Sequence, residues 1–469
     1  MADGLKNIQN KLNKGNLRKG AVLLFLIVVF TAIFFVGGVQ TYPDTDSYLK
    51  MSPIREPGYA LVLKGVTALF GERGFFILGF LQNALAVFAV YMTSCYIGSK
   101  FKEKFVFFLV AFCMLLPYVV TPMFAASGII LTNAMISEGI ALSLYNLYFL
   151  YLLKAVWETE KKQKFLLIAL VLAFFMSLLR GQMMVTLIAW VITAAIVWIK
   201  EKNFRKTCGM ILLFVLVMMA RVVSVNSYNL LANGRYAGTT YGDVTILSNV
   251  IYVAEREDGE AIGDDNLRRL FYVIYEVAES GNMLLKDAPE DFTGEAGFYS
   301  EKHDDIKDFG IYPILQSYVE KEEGITDYMD KCIRVDELAS SMTKELLAEC
   351  GEEWVKHYLA NVAVGMIRTV AFVHPLLNIP SFIGYAVLIV AGIFLFVKKK
   401  DSKAVSMLLL TALLTAGNVA AVAITIMCLS RYMIYNMAFV YISGILLVVE
   451  IFREIVPKIG GRKECECSD

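Results

Sequence analysis

Ten separated apolar runs are the feature that most limits how this chain can fold. A helix needs about 20 mostly apolar residues to cross the hydrocarbon core of a bilayer, and each run approaches or exceeds that length. The hydrophobic share of 57% agrees and excludes a soluble or disordered protein. We therefore predict an all-α polytopic membrane protein with about ten transmembrane helices. The runs are Ala21–Gln40, Phe75–Gly98, Phe105–Val120, Ser137–Leu153, Phe165–Leu179, Met183–Ile199, Cys208–Val225, Phe382–Val397, Ala404–Cys428 and Met433–Ile451.

The fifth and sixth runs form one long apolar stretch that a single span cannot use. The stretch begins after Lys164 and ends before Lys200, so both of its ends favour the same side of the membrane. Gly and polar residues interrupt the pattern at Arg180-Gly181-Gln182. The sequence therefore predicts a helical hairpin with its turn at these three residues.

The charges of the chain are balanced in total but unevenly placed. With 44 basic and 44 acidic residues the net charge is zero. The segment 226–357 carries 28 acidic and 12 basic residues, and the remainder carries 16 acidic and 32 basic ones. This partition favours a membrane body with basic cytoplasmic loops and one large acidic extracytoplasmic part, and it argues against nucleic acid as a partner.

The placement of Lys and Arg predicts the orientation of the spans. The two tails and the loops on their side hold 24 of these residues, whereas the short loops on the other side hold six. By the positive-inside rule both termini are cytoplasmic, and the acidic domain is an extracytoplasmic, mainly helical insert between spans seven and eight. The predicted divisions are a basic tail 1–20, a membrane domain 21–225 with a first outer loop 41–74, the acidic domain 226–357, a segment 358–380, spans 381–452 and a cytoplasmic tail 453–469.

The segment Tyr358–Leu377 is apolar enough to cross the membrane. If it crossed, the lysines at 398–400 would face outward, against the positive-inside rule. We therefore predict that this segment is interfacial or re-entrant.

The acidic domain shows helical spacing in two places. Asp264-Asp265 precedes apolar residues spaced for one helix face, and Asp336 is placed to cap a second helix that ends near Gly351. Val244–Ala254 has an alternation typical of a strand. The apolar residues of the first helix are Leu267, Leu270, Phe271, Ile274, Tyr275 and Ala278.

Ionisable residues are scarce inside the spans and collect at the predicted outer membrane surface. In the first outer loop, Asp44 and Asp46 lie two residues apart in Pro-Asp-Thr-Asp-Ser-Tyr. Such a pair above a span can supply a general base or a cation ligand, because an apolar boundary disfavours the charged form of an acid. The alternative is a solvated turn, since Pro43 and Ser47 are turn formers.

Two further outer positions each have two interpretations. Ser137 can cap the fourth span, which places Glu138 in its first turn, either as ordinary helix-start chemistry or as a functional acid. Arg431 begins the tenth span, where it either extends towards the lipid headgroups or binds a phosphate.

Together these motifs resemble the integral-membrane GT-C glycosyltransferase superfamily. The Pro-Asp-x-Asp-Ser-Tyr loop is followed by Arg-x-Pro-Gly-Tyr at 55–59, and Ser137-Glu138, Leu179-Arg180-Gly181 and Arg431-Tyr432 occupy similar places. Within this superfamily, the motifs most resemble those of the protein mannosyltransferase and lipid A aminoarabinose transferase branch and of bacterial relatives in surface-polysaccharide loci. That branch usually has Asp-Glu where this chain has Asp44-Thr45.

The resemblance implies a GT-C-like fold and an inverting transfer of a sugar from a polyprenyl-phosphate donor, in a bacterial plasma membrane. The acceptor would be a surface glycan, a lipid or a protein at the outer face. Asp44 would be the base, supported by Asp46, and Glu138 would orient the acceptor or a cation. No cofactor is required, a divalent cation is allowed, and metal ligands are unknown. The residues implied to bind substrate or phosphate are Arg55, Tyr59, Arg180, Arg431 and Tyr432.

Two other functions fit a polytopic chain of this size. A polysaccharide polymerase joins lipid-linked repeat units and also has a large outer loop, although arginine-rich loops would favour it and this loop is acidic. A lipid-linked glycan transporter or flippase would favour ionisable groups near the bilayer midplane, which are nearly absent here.

Overall fold

The computed structural model of the chain is helical. It describes residues 2–101, 103–124, 128–201 and 204–460. Within these ranges there is no β-strand, and one isolated bridge pairs Gln40 with Ala134. The part 461–469 of the predicted C-terminal tail lies outside the described residues, as do the side chains of 1–16 in the predicted basic tail.

Nine α-helices form the described part of the N-terminal half of the membrane body. Eight of them are long, and a short helix of seven residues follows the first span. Their bounds are α1 Ala2–Gly37, α2 Pro43–Leu49, α3 Pro57–Phe70, α4 Gly74–Ser99, α5 Lys104–Phe124, α6 Glu138–Trp157, α7 Lys162–Leu179, α8 Met184–Glu201 and α9 Phe204–Asn233.

The acidic domain, which we call the insert, folds as five helices around its own apolar core. All six apolar residues predicted for the face of the first helix are buried, and Asp264 caps that helix by accepting a hydrogen bond from the Leu267 N–H at 2.8 Å. The bounds are α10 Gly242–Val253, α11 Asp265–Ser280, α12 Phe292–Asp305, α13 Tyr312–Lys321 and α14 Tyr328–Glu349.

Two predictions for the insert were wrong. The segment predicted as a strand, Val244–Ala254, is the helix α10, because its buried residues Val244, Leu247 and Ile251 also follow helical spacing. Asp327, not Asp336, caps α14. Asp336 lies inside α14, and its carboxylate accepts from the Asp243 N–H at 3.0 Å, so it caps the neighbouring helix α10 instead.

Five α-helices follow the insert within the residues described up to 460. The first of them contains most of the segment Tyr358–Leu377 and is not among the helices long and apolar enough to cross a membrane. Its placement at the interface stays a prediction. The bounds are α15 Gly351–Val370, α16 Pro375–Lys398, α17 Lys403–Thr425, α18 Ser430–Met433 and α19 Met437–Gly460.

The described residues contain ten helical segments able to span a membrane, as the apolar runs predict. The chain is therefore an integral membrane protein by length and composition of its helices. The predicted hairpin is confirmed, since α7 ends at Leu179 and α8 begins at Met184 after one short helical turn. The helices α9 and α16 are the most exposed spans, with 6% and 11% of their apolar windows buried within the protein.

The loops of the membrane body meet at two opposite ends. At one end the insert contacts the first loop, because the Thr240 N–H donates to the Pro53 carbonyl at 3.1 Å and Tyr328 bonds to Ser52. We call this end the insert side. At the other end Lys100 pairs with Glu158 at 2.6 Å, and Trp157 donates to Ser406 at 2.7 Å.

Candidate functional site

Five charged residues predicted to lie at one membrane surface form a single cluster on the insert side. They come from four separate segments of the chain: the first loop, the start of α6, the turn between α7 and α8, and α18. We call this group the arginine–carboxylate cluster. Its members are Asp44, Arg55, Glu138, Arg180 and Arg431.

The first loop contributes one carboxylate and one arginine. Pro43 is the first residue of α2, because the fixed φ angle of proline suits the first helical turn. Asp44 is the next residue of the helix. Arg55 donates from Nη2 to Asp44 Oδ1 at 2.7 Å and from Nε to Ser47 Oγ at 2.7 Å. The Asp44 side chain keeps 21% of its surface exposed, so it remains reachable from outside the protein.

Asp46 does not join the cluster. It lies on the exposed side of α2, where its carboxylate pairs with Lys50 at 2.6 Å and 67% of the side chain is accessible. The structure therefore separates the two aspartates of the predicted pair, and only Asp44 faces the other charged residues.

Glu138 is the buried acid of the cluster, with 1% of its side chain exposed. Its Oε2 pairs with Arg180 Nη1, and its Oε1 lies 3.9 Å from Arg431 Nη1. Ser137 does not cap α6 with its side chain, contrary to the prediction. Its hydroxyl instead accepts from Arg180 at 3.2 Å and donates to Glu138 Oε2 at 3.2 Å, because the neighbouring charges offer stronger partners.

Arg431 bridges the two carboxylates and is held by aromatic rings. Its Nη1 lies 3.5 Å from Asp44 Oδ2 as well as near Glu138, and its Nη2 donates to the Tyr432 hydroxyl at 2.7 Å. The guanidinium carbon lies 4.9 Å from the centre of the Tyr42 ring and 4.8 Å from that of Tyr432. Such stacking fixes the plane of the guanidinium group while leaving its edge for other partners.

The cluster is positively charged and incompletely satisfied. Three guanidinium groups against two carboxylates leave one net positive charge. Several of its buried polar atoms have no hydrogen-bond partner among the described residues: Arg180 Nε, Arg431 Nε, Arg431 Nη1 and Glu138 Oε1. Buried polar groups in native proteins are nearly always paired, so these atoms mark a place where an anionic or hydroxyl-bearing ligand gains hydrogen bonds.

Buried tyrosine and amide side chains form a second group of hydrogen bonds beside the cluster. The Tyr48 hydroxyl donates to Ser137 Oγ at 3.1 Å, and burial raises the pKa of Tyr48, so it stays a neutral donor. Tyr59 is fully buried and donates to Gln82 Oε1 at 3.2 Å, while Gln82 donates to the carbonyls of Thr132 and Ala134. Tyr59 therefore braces the segment before α6 and does not reach the open part of the cluster.

Two glycines allow the helices that carry the cluster to approach closely. A Cβ at Gly58 would lie 2.6 Å from the Leu178 carbonyl, two residues before Arg180. A Cβ at Gly139 would lie 2.7 Å from the amide group of Gln82. Both distances are below normal contact, so larger residues would push Arg180 or Glu138 away from its partners.

A buried ion pair lies beside the cluster without belonging to it. Arg221 donates to Glu56 Oε1 at 2.6 Å, and burial raises the pKa of Glu56. The same oxygen would be 3.6 Å from a Cβ on Gly181, so the pair lies close to the turn that presents Arg180. The pair links the first loop to α9 next to that turn.

Sequence reasoning predicted Tyr59 and Tyr432 but missed Tyr42 and Tyr48, whose rings lie beside arginines of the cluster. Tyr42 and Tyr48 flank the predicted Asp44 in the sequence, and the contacts of the Ser137 hydroxyl with Arg180 and Tyr48 are not predicted by its capping position. The available signal was the presence of tyrosines near Arg55 and Arg431 in the sequence, and Arg180 has no such neighbours. The sequence could not distinguish these tyrosines from an aromatic belt, because both place rings at the membrane surface.

No group of three or more His, Cys, Asp or Glu side chains suited to a metal ion occurs in the part of the chain that the structure describes. Within the cluster, Asp44 and Glu138 are the two carboxylates available to a cation, and each is already paired with arginine.

Comparison with known proteins gives no match: no family model, no curated protein and no solved structure is similar to this chain. The functional inference therefore depends on the geometry of the cluster and on the motifs that form it.

Proposed function

We propose that this protein is a membrane glycosyltransferase that moves a sugar from a polyprenyl-phosphate donor to an acceptor hydroxyl on the extracytoplasmic side. The observation that carries the proposal is the arginine–carboxylate cluster, with its net positive charge and with guanidinium N–H groups that have no hydrogen-bond partner among the described residues. The insert side would then face out of the cell, as the Lys and Arg distribution predicts.

The chemistry needs a base for the acceptor and cations for the leaving group. The acceptor oxygen bonds to the anomeric carbon, the bond from that carbon to the phosphate oxygen breaks, and the electron pair leaves on the phosphate. Asp44 takes the hydroxyl proton, since it is the more accessible of the two cluster carboxylates. Arg431 and Arg180 stabilise the phosphate, because a guanidinium group binds two phosphate oxygens at once.

Glu138 has a positioning role in this proposal. It is too buried to receive a proton from an acceptor, and it contacts Arg180 and lies within 3.9 Å of Arg431. It therefore orients both arginines and keeps them from repelling each other.

The position of the cluster supports transfer rather than transport. The charged groups lie at the insert side, where a lipid-linked headgroup meets water, instead of midway along the bundle. Deeper in the bundle, buried amides connect helices, such as Asn146 in α6, which donates to the Tyr118 hydroxyl of α5 at 3.0 Å.

The test compares Asp44→Asn with Asp46→Asn in the reconstituted protein. The two positions share one short helix, but only Asp44 contacts the cluster. If Asp44 is the base, Asp44→Asn lowers turnover by roughly 10²–10⁴-fold while Asp46→Asn stays near the wild-type rate. Transfer is measured with radiolabelled prenyl-phosphate sugars extracted from cells that contain the gene. Equal rates for the two variants would remove Asp44 from the reaction, and no transfer by the wild-type protein would discard the proposed function.

A further inference from the structure

A fully buried tyrosine hydroxyl beside the arginine–carboxylate cluster has no hydrogen-bond partner within the described chain. Tyr435 lies in a short helical turn, Ile434–Asn436, between α18 and α19, and 1% of the residue is exposed. Its hydroxyl bonds to none of the described residues. A buried hydroxyl without a partner loses its hydration and gains nothing in return, so native proteins rarely keep one.

The neighbouring buried tyrosines show what a purely structural tyrosine does in this bundle. Tyr145 donates to Asn436 Oδ1 at 2.7 Å, and Tyr148 donates to the Thr186 carbonyl at 2.6 Å. The Tyr145 ring also packs edge-on against the Tyr435 ring, with their centres 5.4 Å apart, which holds the direction of the Tyr435 side chain. Tyr435 is therefore positioned like its neighbours, but its hydroxyl is left for a partner other than the protein.

The groups that surround the Tyr435 hydroxyl belong to the cluster. Arg431 and Tyr435 are four residues apart in one continuous helical run, so their side chains share a face of that run. The ionisable groups that act on the hydroxyl are those of Arg180, Glu138, Tyr48 and Arg431. Tyr435 therefore faces the cluster about one helical turn deeper in the bundle than Arg431.

The polar atoms without a partner at this point are mostly hydrogen-bond donors. The N–H groups of Arg180 Nε, Arg431 Nε and Arg431 Nη1 can only donate, and the Tyr435 hydroxyl can donate as well. In the described cluster, the acceptor atom without a partner is Glu138 Oε1. Several donors around a net positive charge suit an anion with several acceptor oxygens, as in a phosphoryl group. A cationic ligand would leave these donors unpaired.

We infer that the Tyr435 hydroxyl donates a hydrogen bond to the phosphoryl group that binds beside Arg180 and Arg431, which makes Tyr435 a further catalytic residue. The inference rests on the proposed function for the reaction, and it adds a neutral donor to the two cations. When the bond between the anomeric carbon and the phosphate oxygen breaks, the electron pair moves to the phosphate. The hydrogen bond from Tyr435 strengthens as this charge grows, and the tyrosine keeps its proton.

The experiment compares Tyr435→Phe with Tyr252→Phe in the full-length protein, because Phe keeps the ring and removes only the hydroxyl. Tyr252 is the matched control: it is also fully buried with a hydroxyl that bonds to none of the described residues, but it lies in α10 of the insert. Binding of three probes is measured by titration calorimetry in detergent. The probes are geranylgeranyl phosphate, the alcohol geranylgeraniol and inorganic phosphate.

Tyr435→Phe should weaken the binding of geranylgeranyl phosphate by about 10- to 150-fold, the range expected for a hydrogen bond to a charged group, and leave the alcohol unaffected. Its unfolding temperature should not fall, since the hydroxyl has no bond in the free protein to lose. Tyr252→Phe should bind all three probes like the wild type. Unchanged phosphate affinity in Tyr435→Phe, an equal loss for phosphate and alcohol, or a lower unfolding temperature would each overturn the inference.

The two proposals fail in different ways. Binding of phosphate that depends on Tyr435, without any sugar transfer, supports this inference and contradicts the proposed function. Equal affinity for inorganic phosphate and geranylgeranyl phosphate, again dependent on Tyr435, assigns a free phosphate to the site and also contradicts the proposed function alone. Transfer at the same rate and with the same phosphate affinity in the wild type and in Tyr435→Phe does the reverse.

Discussion

Replacing Glu138 by Gln tests whether the cluster is held together by its buried acid. The Glu138 side chain is 1% exposed, and those of Arg180 and Arg431 are 15% and 13% exposed. Gln keeps the size of the side chain and one acceptor oxygen but removes the charge. Asp44 then remains as the sole carboxylate against three arginines, and the net charge of the cluster rises from one to two.

The expected loss follows from the geometry of the pair. For charges about 4 Å apart at an effective dielectric constant near 20, the interaction is about 4 kcal/mol. Breaking one partner of a buried pair costs about 3–5 kcal/mol in measured cases, because the remaining charge stays desolvated. The Gln oxygen still accepts a hydrogen bond from Arg180, which contributes about 1 kcal/mol. We therefore expect Glu138→Gln to lower the free energy of unfolding by about 3 kcal/mol.

A double-mutant cycle separates this interaction from other effects of the substitution. Glu138→Gln, Arg180→Met and the double variant are unfolded by SDS titration in mixed micelles. The double variant should lose less than the sum of the single ones by about 2–3 kcal/mol, because it leaves no uncompensated charge at either position.

The control is the ion pair between Arg269 and Glu322 in the insert. Its N–O distance is 2.5 Å, but its side chains are 53% and 51% exposed, so its coupling should be below about 1 kcal/mol. If the coupling between Glu138 and Arg180 is no larger than this control, burial does not strengthen the pair and the reasoning is refuted.

Three further predictions concern the phosphate, the insert and the topology. Arg431→Lys should reduce transfer about tenfold or more, because Lys loses the planar two-point contact, whereas Arg73→Lys in an exposed turn should be neutral; equal tolerance removes Arg431 from phosphate binding. Burial, with the Asp243 carboxylate as the second cause, raises the pKa of Asp336 to about 6. Protonated Asp336 therefore favours the folded state, and this stabilisation is lost as pH rises from about 4 towards 6. Relative to Asp336→Asn, the wild-type protein should lose about 1–2 kcal/mol of stability between pH 4 and 7 in urea titrations, a value discounted for partial exposure; parallel pH profiles would contradict it. A cysteine at Lys399 should react with an impermeant thiol reagent only after cells are permeabilised, and labelling of intact cells would reverse the orientation.

The spans could be predicted from sequence because the bilayer imposes a strict length and composition on each helix. The Arg180-Gly181-Gln182 turn is an example of a feature that could be predicted in this way. Two basic residues bracketed an apolar stretch too long for one span, and a glycine between polar residues marked its centre. At the turn, α7 ends at the predicted Leu179, and α8 begins at Met184, one residue after the predicted start.

The insert was less predictable because no bilayer fixes the direction of its side chains. Val244, Leu247 and Ile251 lie in a short apolar run that fits a strand and a buried helix equally well. Aspartate is a common capping residue, but the Asp336 carboxylate accepts hydrogen bonds from backbone N–H groups at the start of α10, more than 90 residues away in sequence. Local patterns cannot reveal a cap that acts between two helices.

In the candidate site, too, the sequence alone could not show in which direction two nearby side chains, Asp44 and Asp46, point. In an extended loop, Asp44 and Asp46 would point to the same side, because side chains alternate with a period of two. In the helix α2 each residue advances about 100°, so the same two side chains point about 200° apart. Asp44 consequently meets Arg55 and Arg431, while Asp46 meets Lys50 and solvent. The sequence predicts a site centred on the acidic loop, and the local backbone conformation decides which of its two acids faces the arginine–carboxylate cluster.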